Sequence, residues 1–132
     1  MKNLTYKPGH YLAFELSQES RAHLLSMHQT SFSKVICHHV TMEFNLTAQK
    51  LKEFQAAFSD DPKVRVVGFA KGDGIECAAV SIDGVKRRND GSFYHVTMSL
   101  EPPHKPVESN KLSPNTMRGW IDLEGAFKLL PK

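Results

Sequence analysis

The tetrapeptide His-Val-Thr-Met occurs twice in this chain, at 39–42 and again at 95–98. Each copy lies in a stretch rich in strand formers, Val35-Ile-Cys-His-His-Val-Thr-Met-Glu-Phe44 and Phe93-Tyr-His-Val-Thr-Met-Ser-Leu100. A strand turns successive side chains to opposite faces, so His39 and Thr41 share one face while Val40 and Met42 share the other. The same holds for His95 and Thr97 against Val96 and Met98. A strand with this pattern is stable only when its apolar face is covered. The repeat therefore demands a sheet buried on one side, with a His and a hydroxyl about 7 Å apart on the other side of each strand.

The remaining periodicities supply the cover. Tyr11–Leu16 alternates, with Leu12, Phe14 and Leu16 on one face, and reads as a strand. Ser17 is an N-cap, Glu19 suits the first helical turn, and Leu24 and Leu25 anchor a helix running to about Met27. Thr47 starts a second helix. Leu46 and Leu51 have the spacing of a hydrophobic staple, and Leu51, Phe54 and Phe58 form the buried stripe. Asp60-Asp61-Pro62 stops it. Val64–Phe69 and Ile75–Ile82 read as a hairpin through Lys71-Gly-Asp-Gly74, and Phe93–Leu100 follows the turn at Asn89-Asp90-Gly91. The stretch from Pro102 to Pro114 is irregular, and alternation from Ile121 to Leu129 reads as one last strand. The order β-α-β-α-β-β-β-β predicts a single α+β domain over 1–132, with helices backing antiparallel strands.

Composition narrows the partners. The chain has 132 residues, 40% hydrophobic and 23% charged, an ordinary globular balance for one domain. Seventeen Lys+Arg against fourteen Asp+Glu give +3. That eases the approach of an anion, but it is not the massed basic face of a duplex-DNA binder. Lys86-Arg87-Arg88 reads as a solvated hairpin loop. No apolar run is long enough to cross a membrane, and the first residues lack the apolar core of a secretory signal. Two cysteines, Cys37 and Cys77, suit a reducing compartment, so the cytoplasm is the expected location.

Histidine is over-represented, with seven copies. His28-Gln29-Thr30 repeats the short His-x-Thr pattern, but at a helix end with no alternating strand around it. His38 is expected to point away from His39, and His10, His23 and His104 have no partner signal. Cys37 shares a strand face with His39, yet no spacing supplies the three or four ligands that zinc wants, so no metal cofactor is expected. Three further residues are candidates for substrate contact. Tyr11 is placed to line a cleft, Trp120 to stack on a base, and Lys105 to meet a phosphate.

Paired His-hydrophobic-Thr motifs in strands of one small α+β domain resemble the 2H phosphoesterase superfamily. That superfamily includes 2'-5' RNA ligase-like proteins, cyclic phosphodiesterase domains of tRNA ligases, and phage members that cleave cyclic nucleotide immune signals. The opening Gly9-His-Tyr-Leu-Ala-Phe-Glu-Leu-Ser17 before a helix is similar to the family's first strand and helix. The stretch Met98–Leu112, containing Lys105-Pro-Val-Glu-Ser-Asn-Lys111, is similar to the loop after the second motif in compact RNA-repair members. The resemblance implies a bilobal fold of antiparallel sheets backed by helices around a central cleft, with one motif strand in each lobe. It further implies metal-independent cleavage of a ribonucleotide phosphodiester, either a 2',3'-cyclic phosphate end or a cyclic oligonucleotide. For a phage-encoded member the location would be the host cytoplasm.

The residues suit that chemistry. In-line displacement at phosphorus wants a base on the attacking oxygen and an acid on the leaving oxygen, and two imidazoles supply both near neutral pH. The family analogy assigns His39 as acid and His95 as base, with Thr41 and Thr97 donating to the non-bridging oxygens. The alternative from another class is a module that binds a nucleotide or RNA end in the same cleft without cleaving it.

Overall fold

Alternation in the strands decides the fold. In the computed structural model, which describes residues 1–132, the first strand β1 (His10–Leu16) buries Leu12, Phe14 and Leu16, and α1 (Gln18–Met27) follows. The Ser17 side chain accepts the Ser20 N–H and caps α1. Next come β2 (Lys34–Val35), β3 (His39–Glu43) and α2 (Ala48–Ala57), the last capped by Thr47 through the Lys50 N–H. Strands β4 (Val64–Gly72), β5 (Ile75–Ile82) and β6 (His95–Leu100) complete the centre. A 3-10 turn at Pro106–Lys111 precedes β7 (Ile121–Leu123) and β8 (Gly125–Pro131). The protein is α+β, and no helix is long and apolar enough to cross a membrane.

All eight strands join one antiparallel sheet, in the order β7-β4-β5-β6-β3-β1-β8, with β2 beside β6. The sheet curls as a half-barrel. The two motif strands are neighbours, registered through the single pair Val40 and Val96, both fully buried. One hydrophobic core of 21 buried residues packs the helices against the sheet. Phe54 and Phe58 of the second helical segment stack on each other, Phe58 reaches Phe127 of β8, and Phe127 meets Phe14 of β1 edge-on at 5.5 Å. Leu46 and Leu51 are both buried, as the staple spacing predicts.

Two predicted strands are each broken in two, and both breaks have a cause. Val35 pairs with Ser99, whereas Val40 pairs with Val96. Two extra residues are thus accommodated on the β2–β3 side, and Cys37 takes up the turn at φ +45°. This bulge re-aims the residues beside it. The last strand breaks at Glu124, whose N–H donates to Ser20 Oγ and whose carbonyl accepts the Ser17 N–H. The backbone there leaves the ladder to bind the start of α1. As a result β7 pairs with β4 at one edge of the sheet, and β8 pairs with β1 at the other. Gly125 allows the crossing, because a Cβ there would collide with the Glu15 carbonyl oxygen. Gly125→Val is expected to destabilise the fold by about 2 kcal/mol or more, read as a lowered urea midpoint.

Candidate active site

The polar faces of β3 and β6 open into a cavity of about 470 Å³. His39, Thr41, His95 and Thr97 all line it. The bulge before β3, the register at Val40 and the hairpin before β6 set where each side chain stands.

Both imidazoles are anchored through Nδ1. His95 Nδ1 lies 2.9 Å from the Phe93 carbonyl, which can only accept, so Nδ1 carries the proton. His95 Nε2 has no protein partner. His39 Nδ1 lies 2.9 Å from His38 Nδ1, and His39 Nε2 lies 3.1 Å from the Tyr11 hydroxyl. Burial pushes the Tyr11 pKa above its ordinary value, so the phenol keeps its proton and is available as a donor. Burial also pulls His39 down to about 4; His38 and His95 add to that shift and Glu15 opposes it. His95 is held below the ordinary histidine value by burial first, with Arg88 adding and the Phe93 carbonyl and Asp90 opposing.

The two hydroxyls differ. Thr97 is buried, 2.9 Å from Ser109 Oγ and 3.5 Å from the Pro106 carbonyl, so the 3-10 turn fixes its rotamer. Thr41 has no such partner and lines the cavity.

Arg88 is the one cationic side chain on the cavity wall apart from the histidines. Its side chain is only 10% exposed. Nε donates to Ser92 Oγ at 2.8 Å, and Nη2 donates to Asp90 at 3.0 Å and Asn110 at 2.8 Å, which leaves Nη1 unengaged. The basic run 86–88 is thus not uniformly solvated. Lys86 and Arg87 are exposed, with Arg87 over the Phe93 ring, while Arg88 turns inward. The sequence offered no sign of this, since Asn110, one of the groups that hold Arg88, is brought to it by the tertiary fold.

The predicted substrate-contact residues divide. Tyr11 lines the cavity. Trp120 does not; it precedes β7 at the far edge of the sheet, 55% exposed, with the Arg65 guanidinium 4.4 Å above its ring. Its place is set by β7 pairing with β4 rather than with a motif strand. Lys105 is exposed just outside the cavity, where its N–H caps onto Glu108; Pro106, Val107 and Asn110 of the following turn line the wall instead. The apolar rim is Phe44 and Val107, 51% and 66% exposed. His38 departs from expectation most, since the bulge brings it beside His39 rather than opposite it. His28 closes α1 and stacks on Phe69, away from the cavity. Cys37 is fully buried, and no three His, Cys, Asp or Glu side chains converge as a metal-binding set.

No family model, curated protein or solved structure matches the chain.

Proposed function

We propose that this protein is a metal-independent phosphodiesterase of the 2H type. Its substrates are ribonucleotide phosphodiesters, either RNA ends carrying a 2',3'-cyclic phosphate or cyclic oligonucleotides. The observation that carries this reading is the pair of imidazoles on one cavity wall, each held at Nδ1, with Arg88 beside them. The single-pair seam between β3 and β6 supports the bilobal arrangement, with each motif strand belonging to one half of the sheet.

The anchoring suggests roles opposite to the family analogy. His39 is the more strongly depressed of the two, so it is the neutral partner and serves as base on a ribose hydroxyl or a water. His95 serves as acid on the leaving oxygen. Thr41 and the free Nη1 of Arg88 face the non-bridging oxygens, where charge develops. Arg88→Lys is expected to lower kcat/KM by about 10²-fold, because an ammonium cannot span Ser92, Asp90 and Asn110 while still reaching the phosphate. Steady-state kinetics on a cyclic-phosphate substrate checks this.

The pH dependence follows from the two shifts. Turnover needs His39 neutral and His95 protonated, so kcat/KM is bell-shaped. The alkaline limb falls below the ordinary histidine value of about 6.5, because His95 is depressed. The acid limb falls away through about pH 4, where His39 itself takes a proton. An alkaline limb well above 6.5 would contradict the assignment of His95 as acid.

The direct test is incubation in EDTA with RNA ending in a 2',3'-cyclic phosphate and with a panel of 2'-5'- and 3'-5'-linked cyclic oligonucleotides, followed by chromatography. At least one of them is converted, the RNA end to a terminal phosphomonoester, or a cyclic oligonucleotide to a linear product that ends in a phosphomonoester or, where a ribose hydroxyl attacks, a 2',3'-cyclic phosphate. Bound but intact ligand across the panel would overturn the enzyme in favour of a binding module.

A further inference from the structure

We infer that His38, held by Glu15, is a positioning residue that fixes which nitrogen of His39 bears the proton. The inference rests on His39 acting as the base, and it concerns a residue the paired motif does not include.

Two neighbouring side chains of a regular strand point apart. Here the bulge at Cys37 brings His38 Nδ1 to 2.9 Å from His39 Nδ1. One of these nitrogens donates and the other accepts. The far side of His38 decides which. Its Nε2 lies 3.4 Å from Glu15 Oε2, an ion-pair contact without hydrogen-bond alignment, and the negative charge there favours a proton on the nitrogen that faces it. Glu15 is held ionised because the Lys128 ammonium, 2.7 Å away, keeps its carboxyl below the usual range. A neutral His38 therefore carries its proton on Nε2 and offers a lone pair at Nδ1. His39 must then donate from Nδ1, which leaves its Nε2 lone pair facing the cavity. The Tyr11 hydroxyl, 3.1 Å from that nitrogen, is placed to donate to it. The chain Lys128–Glu15–His38–His39–Tyr11 spans β8, β1 and β3, with an ion-pair contact between Glu15 and His38 and hydrogen bonds at the other links.

The charged and titratable groups around the pair are Glu15 and Tyr11 of β1, Lys128 of β8, His95 of β6, and Arg21 of α1, which donates to the Ile36 carbonyl.

The test is the ¹⁵N shift of the His39 ring in the intact, ligand-free protein at mildly alkaline pH. Nδ1 is expected to be pyrrole-like and Nε2 pyridine-like, with His38 the reverse. His38→Leu removes the acceptor, so the His39 ring becomes a mixture of tautomers and kcat falls at least about tenfold with KM little changed. His38→Asn restores an acceptor near the Nδ1 position. It recovers the His39 tautomer and most of kcat. A pyridine-like Nδ1 on wild-type His39, or a His39 tautomer unmoved in His38→Leu, would overturn the inference. The ring shifts are read without turnover, so they stand apart from the phosphodiesterase proposal, which fails instead if His39→Ala still cleaves.

Discussion

Replacing His39 or His95 with alanine lowers kcat by about 10²–10⁴-fold, the usual share of a general acid or base, while the protein keeps its melting temperature. The two halves of that statement have separate grounds. The catalytic half rests on both rings lining one cavity, each held through Nδ1. The structural half rests on what the rings do not touch. The core side of these strands is Val40, Met42, Val96 and Met98, all buried, and an alanine on the cavity side removes none of that packing. Because the two groups act on one displacement, the double variant is little worse than the poorer single one. Fully additive losses, or full activity in either single variant, would show that the pair does not work together.

The second large effect falls on stability. Glu76 is a carboxylate only 2% exposed, on the central strand β5. Its oxygens accept the Ser31 N–H at 2.8 Å and the Ser99 hydroxyl at 2.7 Å, and His28 Nε2 stands 3.5 Å away, stacked on Phe69. These contacts tie the chain between α1 and β2 to the centre of the sheet, and that chain leads into the bulge that presents His38 and His39. Glu76→Ala strands these donors and costs about 3–5 kcal/mol, against a total stability of about 5–15 for a domain. Thermal unfolding reads this as a fall in Tm of about 10 °C or more. The same group gives an acid dependence. Burial alone would raise the Glu76 pKa, but the bonds from Ser99, Ser31 and His28 outweigh it and leave the carboxyl below its usual value. A depressed carboxyl stabilises the fold above its unfolded value of about 4.3, and that contribution is lost as pH falls through the lower folded value. The acid-induced loss of stability should therefore be smaller in Glu76→Ala than in wild type. Equal losses would place the titrating groups elsewhere.

How much of this was legible in the sequence depends on the range of the interaction that fixes each residue. Alternation in Leu12, Phe14 and Leu16 and in the two His-Val-Thr-Met copies is local, and those faces stand where the period places them. The caps at Ser17 and Thr47 and the staple of Leu46 and Leu51 are local as well. What could not be read depends on pairing between distant segments. The bulge at Cys37 exists because β2 and β3 pair with β6 in different registers, and only that offset brings His38 beside His39. The split of the last strand depends on Glu124 binding the start of α1, and it leaves Trp120 at the β4 edge of the sheet, outside the cavity lining. Arg88 was indistinguishable from Arg87 in a basic loop, because the residues that turn it inward include Asn110, which lies in a different loop.

The most direct measurement is a crystal structure with a ribonucleoside–vanadate complex, which reproduces the five-coordinate phosphorus of an in-line displacement. The expected result is vanadate in the cavity over the polar faces of β3 and β6, with one apical oxygen within about 3.2 Å of His39 Nε2 and the opposite one equally close to His95 Nε2. Vanadate bound elsewhere, or both rings on the same apical oxygen, would contradict paired acid–base catalysis by these two histidines.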